Sequence, residues 1–161
     1  MNKPAIKIRA AQVGDVENIY QLMLPFMRDK ILIDRDQDDI FEHLQEFVVA
    51  EKEQGIVGVA ALHVYGSDLA EIRSLAVLPQ ARRMSIGHQL VKACEAMGRK
   101  LGVTRVFALT YVETFFLAQG YEVVAKESLP QKIWTVCIHC PKFSHCDEVA
   151  VAKNLEELTI A

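Results

Sequence analysis

The apolar positions change period along the chain, and each change marks an element. From Leu69 to Val77 polar residues are interspersed among apolar ones. Glu71, Arg73, Leu75 and Val77 share one face at period two, so this stretch predicts a strand. Pro79 stops it, because proline cannot donate to a sheet ladder. From Ile86 the spacing lengthens. Ile86, Leu90, Cys94, Met97 and Leu101 recur every three to four residues, which predicts a helix with one buried face. Between strand and helix lies a basic turn, Arg82-Arg83-Met84-Ser85, followed closely by Gly87.

The same reading covers the rest of the chain. Ile6 to Arg9 alternates as a first strand. Asp15 is placed to cap a helix through Leu24, whose apolar face holds Val16, Ile19, Tyr20 and Met23, and Pro25 ends or kinks it. Lys30 to Asp36 is apolar, then charged, and is expected across the domain surface. Asp38 or Asp39 is expected to cap a short helix to about Gln45. Phe47 to Glu51 and Ile56 to Tyr65 form strands around a polar turn. The helix from Ile86 to Lys100 ends at Gly102, a suitable C-cap. Arg105 to Thr110 is a buried strand that follows a crossover helix, so it should pair parallel with Leu69–Val77. A helix from Val112 to Ala118 ends at Gly120, and strands at Tyr121–Val124, Ile133–Ile138 and Glu148–Ala152 complete the sheet. The fold class is therefore mixed, α/β or α+β: antiparallel hairpins, then one parallel crossover, with helices on both sheet faces.

Length and charge narrow the options. A chain of 161 residues fits one domain, 1–161, and a hydrophobic fraction of 51% with 24% charged residues is ordinary for a globular protein. The formal net charge of -3 argues against bulk affinity for nucleic acid or membranes. The first residues carry no long apolar run, so neither a signal peptide nor a membrane span is expected, and a cytoplasmic location follows. Cysteines there are not expected to form disulfides.

Two stretches carry candidate chemistry. A strand feeding an arginine-bearing turn into a helix suits a pyrophosphate, because a helix N-terminus offers unpaired N–H groups and partial positive charge. An ordinary β-turn-α connection with solvated arginines reads the same residues equally well. The second stretch, Cys137 to Cys146, holds three cysteines and two histidines. Cys137, Cys140 and Cys146 have chelating spacing, but no second Cys-x2-Cys pair accompanies them, so the expectation is no resident metal, with zinc as the alternative. Buried thiols, a loop bordering the site and a redox-sensitive pair also remain open. Cys94 lies on the helix's buried face and reads as core.

The turn Arg82-Arg83-Met84-Ser85-Ile86-Gly87 and the order of elements resemble the GNAT acetyltransferases, whose signature is Gln/Arg-x-x-Gly-x-Gly/Ala. Ser85 replaces the first glycine, and a positive φ there would cost serine roughly 1 kcal/mol or more. Phe115-Phe116-Leu-Ala-Gln-Gly120-Tyr121 resembles the family's aromatic-x-x-x-Gly-Phe motif. Lys30–Arg35, Glu46–Glu51, Ala61–His63, Ser67–Val77, Arg105–Thr110 and Leu129-Pro-x-Lys132 look like the acetyltransferase domain of N-acetylglutamate synthases in its short standalone form.

The resemblance implies acetyl-CoA as co-substrate and direct attack of an amine on the thioester. It places the diphosphate on Arg82, Arg83, Met84, Ser85, Ile86, Gly87 and His88. A backbone N–H of Leu75, Ala76 or Val77 would meet the developing oxyanion. Glu71 is the candidate base, acting through water. Arg73 faces the same way, so it either forms a salt bridge with Glu71 or holds an acceptor carboxylate. The family's acid tyrosine is replaced by Phe116, leaving Tyr111 as a substitute candidate, with a core-edge role equally open. Arg35, Arg73 and Lys132 are the candidate contacts for an amino-acid acceptor, with L-glutamate, at the head of arginine synthesis, the first expectation. Another small amine, a protein N-terminus or a non-catalytic acyl-CoA-binding module are the alternatives, and a homodimer is left open.

Overall fold

The computed structural model describes residues 5–130 and 148–155. Its strands are β1 (Ile6–Ala10), β2 (Phe47–Lys52), β3 (Gly55–Val64), β4 (Leu69–Val77), β5 (Arg105–Thr110), β6 (Glu122–Val124) and β7 (Val149–Asn154). The α-helices are α1 (Val16–Arg28), α2 (Gln37–Glu42), α3 (Ile86–Leu101) and α4 (Glu113–Leu117). The sheet order is β1-β2-β3-β4-β5-β7-β6. Among the described residues β4–β5 is the parallel pair, in the register Leu69↔Arg105, Ala70↔Val106 and Glu71↔Phe107. The mixed sheet and the single crossover agree with the sequence reading. The expected strand at Ile133–Ile138 lies outside the described residues.

Two compact units divide the chain: Met1–His63 with Ile72–Met97, and Val64–Glu71 with Gly98–Ala161. In the first, the core joins Val16, Ile19, Leu22, Met23 and Met27 of α1 to Ile40, Phe47, Val49, Val59, Ala61 and Ala76. Each large apolar side chain buried there contributes about 1.5–3 kcal/mol. That burial explains a departure from expectation at Pro25. The proline sits inside α1, and the helix runs on to Arg28. An interior proline costs about 3 kcal/mol or more, and the combined burial of Leu22, Met23 and Met27, the last 4% exposed, offsets it.

Asp15 starts α1 without capping it by a side-chain hydrogen bond. Its carboxylate accepts from Arg9 Nη1 at 2.7 Å and Nη2 at 2.9 Å, and from the Gln12 N–H at 2.7 Å. The cap of α2 also differs from expectation: Asp36, not Asp38 or Asp39, accepts from the Asp39 N–H at 2.8 Å.

α3 rests on β3 at Gly58. A Cβ there would stand 2.9 Å from Ile86 Cγ2 and 3.0 Å from Leu90 Cδ1. The missing side chain thus lets the first turn of α3 approach the sheet, which fixes the turn that precedes it.

The second unit packs Leu69, Phe107, Leu129, Ala150 and Ala152 together, with Tyr65, Leu109 and Val124 against them. β7 pairs antiparallel with both β5 and β6. Gly102, at φ +91, closes α3 as its sequence position suggests.

Candidate active site

The turn from β4 into α3 is a 3₁₀ helix, Pro79–Met84, closed by Ser85 at φ 59 and ψ 24. Serine therefore occupies the left-handed conformation that glycine adopts at no steric cost, a strain of roughly 1–2 kcal/mol. That geometry aims the chain into α3. The Gln89 N–H donates to the Ser85 carbonyl at 3.0 Å, so the amides of Ile86, Gly87 and His88 precede the first helical hydrogen bond. With the partial positive charge of a helix start, they are N–H donors of the kind an anion uses. Arg83 and His88 are exposed beside them. Arg82 is exposed too, with Cζ 5.9 Å from the centroid of the Phe26 ring. Met84 is half-buried, its sulfur 3.8 Å from Lys52 Nζ.

β4 carries a second left-handed residue, Ser74, at φ 57. This conformation interrupts the pleat, so the strict period-two face expected from Glu71 to Val77 does not run unbroken. Leu75 and Val77 are half-buried and Ala76 is core.

Ser74 is also one end of an array of charged side chains in the first unit. Its Oγ accepts from Arg35 Nη1 at 3.1 Å, and Arg35 Nε donates to Asp39 Oδ2 at 2.5 Å. Arg35 lies over the Phe47 ring, 4.9 Å from its centroid, and its side chain is only 8% exposed. The segment expected on the surface therefore turns its arginine inward. From Asp39 the array continues to His43, whose Nδ1 is 3.1 Å from Oδ1. The rings of His43 and His63 meet edge to face at 6.3 Å. His63 Nδ1 is 2.8 Å from Glu46 Oε2; an ionised carboxylate only accepts, so this nitrogen carries the proton. Glu46 Oε1 then stands 3.5 Å from Arg73 Nη2.

This last contact is an ion pair without a hydrogen bond. Arg73 Nε and Glu46 Oε1 are both buried and make no hydrogen bond. Burial resists ionisation of Glu46. The hydrogen bond from His63 and the charges of His63, Arg73 and His43 outweigh it and hold the carboxyl below its ordinary range.

Arg35 and Arg73, both singled out from sequence, thus join one array. Asp39, His43, Glu46, His63 and Ser74 were not assigned roles there, because no local spacing announces them. Asp39, Glu42 and His43 offer ligand atoms within 4.8 Å of one another, but Asp39 is already engaged by Arg35 and His43.

In the second unit, Glu71 is buried at 8% exposure and accepts a hydrogen bond from the Tyr65 hydroxyl at 3.0 Å. Tyr65 itself leans on the Phe107 ring at 5.8 Å. Tyr111 is 37% exposed at the end of β5. Phe116 is 3% exposed, stacked edge to face on Phe115 and Tyr121, and offers no hydroxyl. Lys132, Cys137, Cys140 and Cys146 lie outside the described residues.

Residues 14–121 match the acetyltransferase (GNAT) family. The chain belongs to that family. As a GNAT acetyltransferase it is 40% identical to an uncharacterized N-acetyltransferase of Chlorobaculum tepidum, over 92% of this chain and 96% of that one. It is 39% identical to an amino-acid acetyltransferase of Mycobacterium tuberculosis, over 71% of this chain and 67% of that one. An amino-acid acetyltransferase of Neisseria meningitidis is 32% identical over 78% of this chain, which spans only 29% of that longer protein. Among solved structures, N-acetylglutamate synthase from Neisseria gonorrhoeae, complexed with coenzyme A and N-acetyl-glutamate, superposes with TM-score 0.87 at 26% identity. That match covers 97% of this chain and 36% of that one. Rv2747 from Mycobacterium tuberculosis, solved in complex with CoA, gives TM-score 0.82 at 30% identity, covering 93% of this chain and 99% of that one.

Proposed function

We propose that this GNAT enzyme transfers the acetyl group of acetyl-CoA to the α-amine of a small amino acid of the glutamate type, L-glutamate or its amide glutamine. The observation that carries the reading is the Arg35–Arg73 array: two arginines on separate elements, each fixed by its own carboxylate and joined through one set of contacts. An amino-acid acceptor needs such fixed forks, because guanidinium groups recognise carboxyl ends by paired hydrogen bonds. The names of the similar acetyltransferases support the same class.

The diphosphate of acetyl-CoA would lie on the amides that open α3, with Arg83 and His88 beside it and Arg82 as a further candidate contact. Beyond the three-residue ladder with β5, a backbone N–H of Leu75, Ala76 or Val77 would meet the thioester oxygen as charge develops there. Arg35 would hold the α-carboxylate, since its Nη2 makes none of its contacts to Asp39 and Ser74. Glu71, oriented by Tyr65, is the proposed base and would take the amine's proton through water. The amine then attacks the thioester carbon, the C–S bond breaks, and the CoA thiolate leaves to be protonated by Tyr111 or solvent. Lys132 is a further proposed acceptor contact. A cytoplasmic location and a place at the head of arginine synthesis follow from the same reading.

Thiol release from acetyl-CoA, measured against a panel of amino acids, simple amines and a peptide N-terminus, tests this directly. Release above background with glutamate or glutamine, and not with the amines or peptide, is the expected result. Thermal stabilisation by acetyl-CoA with no acceptor turned over would instead support a non-catalytic acyl-CoA-binding module.

A further inference from the structure

The turn entering α3 carries positive charge that nothing within it balances. From Leu78 to Val91 the chain holds no aspartate or glutamate. Arg82 lies over the Phe26 ring, Arg83 is exposed, and neither pairs with a carboxylate among the described residues. With the amides of Ile86, Gly87 and His88, this donor set fits the phosphates of acetyl-CoA. A further cation reaches the same turn from outside it. Lys52, at the end of β2, has its Nζ 3.8 Å from the Met84 sulfur.

Local geometry puts it there. β2 and β3 join through a two-residue turn in which Glu53 (φ 54) and Gln54 (φ 76) are both left-handed, with Lys52 opposite Gly55. Such a turn is tight and follows the twist of its strands. β3 is tied to the end of β4, where the Leu78 N–H donates to the Val57 carbonyl at 2.9 Å. Met84 is held as well, since its carbonyl accepts from Gln89 Nε2 at 3.4 Å. The ammonium of Lys52 therefore stands beside the residue that leads, through Ser85, into the amides that open α3. Its surroundings do not neutralise it. A thioether is a weak, uncharged acceptor. The adjacent Glu51 carboxylate is taken by Arg9, from Nε at 3.1 Å and Nη2 at 2.8 Å. Among the described residues no carboxylate lies at ion-pair distance from Lys52. A lysine that only solubilised the hairpin would keep its ammonium in water, whereas this side chain is half-buried and ends on the turn.

We propose, on the footing that the diphosphate lies at this turn, that Lys52 binds a phosphate group of acetyl-CoA and so adds a charge from β2 to the cations of the turn itself. The ammonium exchanges a neutral sulfur contact for a charge-assisted hydrogen bond to a phosphate oxygen, which is shorter and stronger. Lysine suits this place because it serves a phosphate as a point charge on a flexible stem.

Calorimetry with acetyl-CoA on wild type, Lys52→Met, Lys52→Arg and Arg83→Met tests this. Lys52→Met keeps the stem and removes the charge, so its dissociation constant should rise about 10-fold. Lys52→Arg should recover most of that loss. The gap between wild type and Lys52→Met should narrow as salt is raised, because a part-exposed ion contact is screened. Preference among acceptors should not move. Acetyl-3′-dephospho-CoA identifies the phosphate: a gap that persists with it places Lys52 on the diphosphate, and a gap that vanishes places it on the 3′-phosphate. Unaltered affinity in Lys52→Met, beside a loss in Arg83→Met, overturns the proposal and leaves the diphosphate at the turn. A loss that salt does not change, or that Lys52→Arg does not recover, also overturns it, since either marks packing rather than charge. Affinity that neither Lys52→Met nor Arg83→Met alters, or folded wild type that takes up no acetyl-CoA, overturns the placement of the diphosphate as well.

Discussion

The turn entering α3, the proposed diphosphate site, offers backbone, whereas the array from Arg35 to Arg73, the proposed acceptor site, offers side chains. In the turn, the amides of residues 86–88 are held by local geometry: Pro79 ends β4, Ser85 adopts φ 59, and Gly58 lets Ile86 and Leu90 come down on β3. In the array, Asp39 holds Arg35 and His43 from four residues away, but the remaining contacts join residues distant in sequence. Arg35 reaches Ser74 across 39 positions, and His63 reaches Glu46 across 17. A backbone site tolerates most side-chain changes, because every residue supplies the same N–H. A side-chain site is rewritten by one substitution. This difference suits a family whose co-substrate is fixed and whose acceptor varies.

The largest effect that separates the two regions should come from Arg35→Ala. The change removes hydrogen bonds to Asp39 and Ser74 and the stack on Phe47, at about 2–3 kcal/mol of stability by urea denaturation. Acceptor kcat/KM should drop by about 100-fold or more, while the affinity for acetyl-CoA measured by calorimetry should stay where it was. An equal loss of acetyl-CoA affinity would show that the two regions are not separate devices. Arg35→Lys should recover the charge but not the activity, because an ammonium cannot reproduce the planar fork.

Gly58→Val probes the other region. Its side chain would collide with Ile86 Cγ2 and Leu90 Cδ1, already 2.9 and 3.0 Å from a bare Cβ, and lift the start of α3 from β3. Overpacking of this kind costs about 1–3 kcal/mol. The apparent dissociation constant for acetyl-CoA should rise on the order of 10-fold, or ~1.4 kcal/mol, with the relative preference among acceptors unchanged. A changed acceptor preference would count against independence.

The two regions were unequally legible in the sequence for a physical reason. A backbone site is contiguous, so Pro79, the arginines, Ser85 and the helical period from Ile86 appear in reading order. Strands β4 and β5 were placed at the same residues for the same reason, since strong period and clear turns bracket them. The array has no such signature. Its members come from the loop before α2, from α2 and its C-cap, from the 3₁₀ turn Leu44–Glu46, and from the strands β3 and β4. Arg35 and Arg73 could be named only through resemblance, and Glu46 and His63 appeared inside the resembling stretches without a role. The left-handed Ser74 was invisible because serine in a strand carries no mark of its φ. Asp36 took the cap of α2 from Asp38 and Asp39 because neighbouring aspartates are interchangeable by composition, and only backbone geometry chooses among them.

A smaller effect is expected at Ser85. Glycine removes the roughly 1–2 kcal/mol left-handed penalty but returns about 0.5–1 kcal/mol of backbone entropy to the unfolded chain. Ser85→Gly should therefore stabilise by about 0.5–1 kcal/mol, read as a higher urea midpoint with unchanged slope. Acetyl-CoA affinity should hold or improve slightly, and acceptor preference should not move. A loss of stability would mean that the serine hydroxyl contributes more than its backbone costs.

The smallest effect is a change in the acid limb of the stability curve. The carboxyl groups of Glu46 and Asp15 both titrate below their ordinary values. For Glu46 burial works against ionisation, but His63 and the neighbouring cations prevail; for Asp15 the Arg9 hydrogen bonds dominate. A group whose folded pKa is depressed binds fewer protons folded than unfolded at mildly acid pH. Its contribution is therefore complete above the unfolded value, near 4.5 for Glu46 and 3.8 for Asp15, and disappears as pH falls through the lower folded value. On account of these two groups, urea midpoints should then not vary with pH near neutrality and should decline below about pH 4.5. Glu46→Gln should flatten the Glu46 part of that decline, and Asp15→Asn the Asp15 part. Glu46 belongs to the array and Asp15 only anchors α1 to β1. Glu46→Gln should therefore also alter acceptor preference, whereas Asp15→Asn should leave it alone. If both variants shift the acceptor ratio equally, the array does not end where its contacts do, and the anchoring of α1 belongs to acceptor recognition as well.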